Sequence, residues 1–201
     1  MPEVKILPAV LSIAGSDSSG GAGIQADIKT ISATGAYAAS VLTALTAQNT
    51  EGVQAIEAVS PAFITQQIDA VCTDLDIKAI KLGMLHTREI ITRVKEALMT
   101  YQPPYVVLDP VMVSKNGSPL LPDDLVSFLK EQLFSLATVI TPNVPEAEKM
   151  MGQSIQTLPE MEAAARAIAE QYQVAVLLKG GHLNSPTAQD VLCEDGELTY
   201  F

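Results

Sequence analysis

Two kinds of apolar run take turns along this chain, and that exchange limits the possible folds more than any other feature. Ala9, Val10, Leu11 and Ile13 form a β-prone run; Ile24, Ile28 and Ile31 then recur at helical spacing until Gly35 ends the stripe. Further strand-like segments fall at 37–47, 77–82, 105–108, 137–141 and 174–178, with a short extended piece at 53–59. Between them run helical stripes: Ile64, Ile68 and Val71 after Ser60-Pro61, Ile90, Val94 and Leu98 after Thr87, Leu125, Leu129 and Leu133 after Pro122. A short helix over 145–151 and a capping-box start at Thr157-x-x-Glu160 supply the rest. Helical crossovers between strands imply parallel pairing with helices on both faces of the sheet. The expectation is a single α/β domain over 1–201, doubly wound and mostly parallel, ending in a hairpin that turns at Glu194-Asp195-Gly196.

The first crossover is unusual in composition. Between the run ending at Ile13 and the helix beginning at Ile24 lies a loop rich in Gly, Ser and Asp, with Gly20, Gly21 and Gly23 able to turn sharply and bring backbone N–H groups against a ligand. The helix N-terminus adds unpaired N–H groups and partial positive charge, so the loop predicts a site for an anionic or strongly polar small molecule. It is not a Walker A loop, since no Gly-Lys-Ser/Thr follows. Gly21-Ala22-Gly23-Ile24-Gln25-Ala26 fits the relaxed dinucleotide pattern, but the second strand ends in Gln48 and Asn49 instead of the acid that a ribose requires.

Parallel sheets place ligands beyond the carboxyl ends of their strands. Those exits carry the glycine loop, Gln48, Gly83-Met84, Asp109, then Asn143 and Glu146, then Lys179-Gly180. The set suits a magnesium–phosphate group held beside an uncharged polar ring. Asp109, an acid closing a short apolar strand, reads as the start of a turn before Pro110 or, in better accord with its place, as a partner for a cation. Asn143-x-x-Glu146 reads equally as a helix N-cap with its capping-box glutamate. Lys179 reads either as a solvated strand end or as a partner for an anion shared with neighbouring N–H groups. Met84 is core filler or a ligand contact. His86 and His182 lack metal-ligand spacing and read as surface or structural residues.

Charge and cysteine content exclude several classes. With 12 Lys and Arg against 23 Asp and Glu, the formal charge is −11, and nothing in that balance attracts a phosphate backbone, so no nucleic-acid partner is expected. Cys72 and Cys193 stand far apart without metal spacing, which argues for a reducing compartment. No apolar stretch reaches membrane-spanning length, and a cytoplasmic protein without membrane attachment is expected.

Taken in order, AGSDSSGGAGIQADIKT, TALTAQNTEGVQ, KLGML, VVLDPVMVSKNG, ITPNVPEAE and LLKGGH resemble the hydroxymethylpyrimidine and phosphomethylpyrimidine kinases of thiamine biosynthesis, members of the ribokinase-like superfamily. The resemblance implies transfer of the ATP γ-phosphoryl group to 4-amino-5-hydroxymethyl-2-methylpyrimidine and then to its monophosphate, with Mg²⁺, in a homodimer. It implies a pyrimidine pocket at the Ala22 backbone, the Gln48 side chain, Met84 and Val111. Asp109 and Glu146 match the acids near the Mg²⁺–phosphate region, and Asn143, Lys179 and Gly180 the phosphate and nucleotide contacts. The family pattern continues into a Gly-Thr-Gly-Cys-like anion-hole segment that carries the proposed base. No such segment precedes Phe201, so the 201-residue chain is expected to be inactive or nearly so. The alternatives are a pyridoxal or pyridoxine kinase, or a non-catalytic protein binding a dinucleotide or the pyrimidine.

Overall fold

The computed structural model describes residues 7–112, 121–183 and 187–201. Its backbone falls into two compact units, Met1–Val106 and Val107–Phe201. In the first, β1 (Ala9–Asp17) lies between β2 (Tyr37–Asn49) and β4 (Ile77–Leu82), parallel to both, and β3 (Gly52–Ala58) pairs antiparallel with β2. Helix α1 (Gly23–Ala33) makes the crossover from β1 to β2, α2 (Pro61–Cys72) leads into β4, and α3 (Arg88–Tyr101) follows it. A strand with parallel neighbours on both sides loses the usual alternation, and Leu11, Ser12, Ile13 and Ala14 are all buried. Ser12 is the polar exception. Its Oγ donates to Asp27 of α1 at 2.6 Å, and the same carboxylate takes Lys81 of β4 at 2.9 Å, so three elements meet in one polar knot.

Among the described residues, the outer edge of β2 beside Leu42 has no strand partner, because β3 joins only from Ala44 onward. Gln67 of α2 completes it: the Leu42 N–H donates to Gln67 Oε1 at 3.0 Å, and Gln67 Nε2 donates to the Leu42 carbonyl at 3.2 Å. A glutamine amide here does the work of a neighbouring peptide group. Ser60 and Thr87 cap α2 and α3 with their side-chain oxygens, as their positions in the sequence predict.

In the second unit β6 (Val139–Ile140) pairs parallel with both β5 (Tyr105–Leu108) and β7 (Ala175–Leu178), while β8 (Val191–Glu194) and β9 (Glu197–Tyr200) add antiparallel. Asp195 and Gly196 turn that hairpin with φ of 50° and 80°, the left-handed pair a two-residue connection needs. The helices are α4 (Asp123–Leu133), α5 (Val144–Met151) and α6 (Leu158–Tyr172). Phe134 is fully buried, with Tyr172 edge-on at 5.0 Å between ring centroids.

The mostly parallel, helix-connected arrangement matches the expected fold class. Strand β6 is shorter than the predicted 137–141, because the Ala137 N–H closes a helical turn on the Phe134 carbonyl and Pro142 has no N–H to continue the ladder. The glycine-bearing stretch 114–118 lies outside the described residues. Among the described residues no helix is long and apolar enough to cross a membrane.

Candidate active site

The glycine loop is organised by Asp17, the last residue of β1. Its Oδ1 accepts from the Ser19 N–H and Oγ at 2.9 and 2.8 Å, and its Oδ2 from the N–H groups of Gly21 and Ala22 at 3.0 and 2.8 Å. The Asp17 N–H in turn donates to Gln25 Oε1 at 2.8 Å, and the Asp17 carbonyl accepts from Gly20. Burial pushes the Asp17 carboxyl up, but these four donors outweigh it and hold the group below its ordinary value. Part of the expected cradle for an anionic ligand, the N–H groups of Ser19, Gly21 and Ala22, is therefore taken by the chain's own carboxylate, which corrects the reading of those N–H groups as open to an anion. Sequence reasoning passed over Asp17, although an aspartate followed by Ser-Ser-Gly-Gly is the signal of a side chain that folds back onto its own turn.

Gly23 is the position where the turn requires glycine. Its φ is +55°, and a Cβ there would lie 2.2 Å from the Gly15 carbonyl oxygen. Two more predicted residues reach the same rim. Ser18 Oγ donates to the Gln48 carbonyl at 2.8 Å and accepts from the Gln48 N–H at 2.9 Å, while Thr46 Oγ1 donates to the Ser16 carbonyl at 2.7 Å. Gln48 is thus fixed by its main chain, and its amide Oε1 takes only a longer 3.2 Å contact from Thr46. Met84 is half-buried; its methyl group lies against Gly15 and its carbonyl accepts from Thr43. Ala22, Gln48 and Met84 therefore border one loop. Nearby in sequence, His86 has both ring nitrogens buried with no hydrogen-bond partner among the described residues, and burial pulls its pKa down.

The acids and the lysine form a second constellation, within Val107–Phe201. Lys179 Nζ pairs with Asp109 Oδ1 at 3.0 Å. Glu146, 2% exposed, accepts from the Met112 N–H through Oε1 and from the Asn143 N–H through Oε2, each at 2.9 Å, while Asn143 Oδ1 accepts from the Glu146 N–H at 2.9 Å. Asn143 and Glu146 thus make the capping box that their spacing allowed. Burial pushes the Glu146 carboxyl above its ordinary value, and the negative charge of Asp109 adds to that; the two N–H donors and Lys179 offset it only in part. Between Asp109 and Met112, Val111 adopts φ of +38°, a conformation that a β-branched residue holds only under constraint, and the Met112–Glu146 hydrogen bond pins the residue next to it.

Gly180 is buried, its N–H donates to Asp190 Oδ1 at 2.9 Å, and a Cβ would stand 1.9 Å from the Gln189 carbonyl oxygen. Its N–H is spent on the protein's own acid, a partner that sequence reasoning passed over. His182 is exposed. Among the described residues no three His, Cys, Asp or Glu side chains converge as a metal cluster.

A mostly parallel sheet with helical crossovers, a self-closed glycine loop after the first strand and an acid–lysine pair at later strand exits define a ribokinase-like kinase fold. It is shared with Bacillus subtilis pyridoxal kinase, crystallised as an ADP complex, at a TM-score of 0.88 and 35% identity over 98% of this chain and 75% of that one. The family model for phosphomethylpyrimidine kinase matches residues 17–201, and the chain belongs to that family. A crystal structure of phosphomethylpyrimidine kinase from Clostridium difficile 630 superposes at a TM-score of 0.88, with 46% identity over 96% of this chain and 84% of that one. The hydroxymethylpyrimidine/phosphomethylpyrimidine kinase of Rhizobium meliloti is 51% identical over 94% of this chain and 71% of its own length. The thiamine biosynthesis bifunctional protein ThiED of Geobacter sulfurreducens is 50% identical over 92% of this chain, which spans 38% of that protein's length.

Proposed function

We propose that this chain carries the substrate-binding part of an ATP-dependent kinase that phosphorylates 4-amino-5-hydroxymethyl-2-methylpyrimidine and its monophosphate. The observation that carries this reading is the loop closed on Asp17 and bordered by Gln48 and Met84: it offers an amide and an apolar thioether to an uncharged aminopyrimidine. The names of the relatives support the same substrate. Nucleotide chemistry falls to Asp109, Asn143, Glu146 and Lys179. Lys179 supplies positive charge to phosphate oxygens.

The donor set fits Mg²⁺ through its hard oxygens. Asp109 has one carboxylate oxygen outside its Lys179 pair, whereas each Glu146 oxygen already takes a backbone N–H. Asp109 is then the ligand, and Glu146 acts through its charge. The ion, when bound, neutralises charge on the transferring phosphoryl group. We place the protein in the cytoplasm as a homodimer, for which light scattering in solution is the test.

Binding tests this reading directly. A panel of the pyrimidine, pyridoxal, NAD and Mg-ATP is compared by thermal shift, where a ligand at about one hundred times its Kd adds roughly 2.7 kcal/mol of stability. The expected outcome is stabilisation by the pyrimidine and by Mg-ATP. Stabilisation by pyridoxal or NAD in place of the pyrimidine overturns the substrate assignment.

A further inference from the structure

Gly15, inside β1, is a glycine for a reason other than its own backbone. Gly20 and Gly23 have left-handed φ, whereas Gly15 does not. A Cβ built on Gly15 would instead meet the methyl carbon of Met84 at 2.8 Å, with the Ala44 carbonyl oxygen next at 3.8 Å. The main chain around Met84 is held on both sides. The Gly83 N–H donates to the Ile13 carbonyl at 2.9 Å, and the Met84 carbonyl accepts from Thr43 Oγ1 at 2.8 Å. Thr43 is fully buried and reaches that carbonyl where β1 and β2 slip register: Ala14 pairs with Leu42 but Ser16 with Leu45, which leaves Thr43 and Ala44 opposite Gly15. Gly83 is equally confined, since a Cβ there would stand 2.8 Å from the Ala14 Cβ. With its backbone pinned from β1 and β2, Met84 answers crowding at Gly15 by swinging its flexible thioether, which is half-buried at the rim shared with Ala22 and Gln48.

We propose that Gly15 is a positioning residue for the substrate: by having no side chain it seats the Met84 methyl against the main chain of β1 and keeps that thioether out of the space a pyrimidine ring takes beside Gln48. The inference rests on the pyrimidine reading for its ligand and on the contact between β1 and the β4 exit alone for its geometry. A methyl group added at Gly15 drives the thioether off its seat and into the ring's place. Overpacking ordinarily destabilises the folded chain. Here the crowded atom is the end of a flexible side chain at a rim, so the effect falls on the ligand and not on the fold.

The test uses the 201-residue chain with its methionine methyl groups ¹³C-labelled, the Met84 signal being the one missing from Met84→Leu. Affinity for the pyrimidine is measured by isothermal titration calorimetry. Gly15→Ala is expected to shift the Met84 methyl signal, to leave the melting temperature unchanged, and to weaken pyrimidine binding roughly tenfold. Leucine ends one atom short of the methionine methyl at nearly the same volume, so in a Met84→Leu background the same Gly15→Ala change is expected to cost about twofold or less. An unmoved methyl signal overturns the proposal, as does a moved signal with unchanged affinity, or an equal loss of affinity in both backgrounds. A Gly15→Ala chain that melts lower or fails to fold assigns this glycine a structural role and overturns the proposal as well. A wild type that does not bind the pyrimidine overturns the functional reading and with it the ligand named here; the methyl signal then still decides whether Gly15 seats Met84.

Discussion

Asp17 and Glu146 are equally hidden, each 2% exposed, and both accept backbone N–H groups, yet their carboxyls shift in opposite directions. Burial is the largest influence on each. Asp17 lies at a rim under little more than its own loop and meets four donors, so its charged form is favoured. Glu146 lies deeper, meets two donors and has Asp109 close by, so its charge is carried at a cost. A hidden carboxylate is thus an asset or a strain according to the number of donors around it and the sign of its neighbours. The Asp17 carboxylate is matched by donors of its own loop; the Asp109–Glu146–Lys179 region holds more negative charge than it neutralises and is the better place for a cation.

Removing the strained carboxylate breaks the comparison most severely. Glu146→Ala orphans the Met112 and Asn143 N–H groups and dissolves the capping box of α5, with an expected loss of about 3 kcal/mol in urea unfolding. Gly23→Ala strikes the loop backbone instead. The new Cβ meets the Gly15 carbonyl at 2.2 Å from a left-handed φ, and a loss of about 2 kcal/mol or more is expected in thermal unfolding, together with weakened pyrimidine binding.

Asp17→Asn sharpens the contrast through pH. The lowered Asp17 carboxyl contributes stability above its ordinary value of 3.8, and that contribution is lost as pH falls through the lower native value. The raised Glu146 carboxyl does the reverse: its contribution is complete below the ordinary 4.5 and lost as pH rises through the native value. Asp17→Asn is expected to cost about 2 kcal/mol near neutrality and to flatten the acid limb of the stability profile. Urea midpoints from about pH 6 to about pH 3 check this; an unchanged acid limb contradicts the assignment. The smallest effect belongs to the Asp109–Lys179 pair, both partly exposed, for which a double-mutant cycle with Asp109→Asn and Lys179→Met should return about 1 kcal/mol or less of coupling.

Strands and helices were legible because local chemistry dictates them: a proline at the first turn after Ser60, a threonine before Ile90, and the apolar runs at β1 and β5. The capping box of Asn143 and Glu146 was legible as one of two readings, and the structure builds that box. The direction of the loop N–H groups was not. Glycines announce that a backbone can wrap around something, and only the placement of Asp17 two residues before Ser19 decides that the something is internal. Likewise the Asp190 carboxylate that takes the Gly180 N–H is ten residues away, and such pairings lie beyond any local pattern.

Gln67 matters for how copies of this protein treat one another. By occupying the Leu42 N–H and carbonyl, it closes a stretch of β2 that would otherwise offer a ready template to any extended chain. The first unit's defence against strand addition at that point is a single amide, held in place by a helix whose buried face, Ile64 and Ile68, is anchored in the core. A chain with leucine at this position would keep its core and its loop chemistry while acquiring a sticky margin, so its losses would register as concentration-dependent association well before they registered as unfolding.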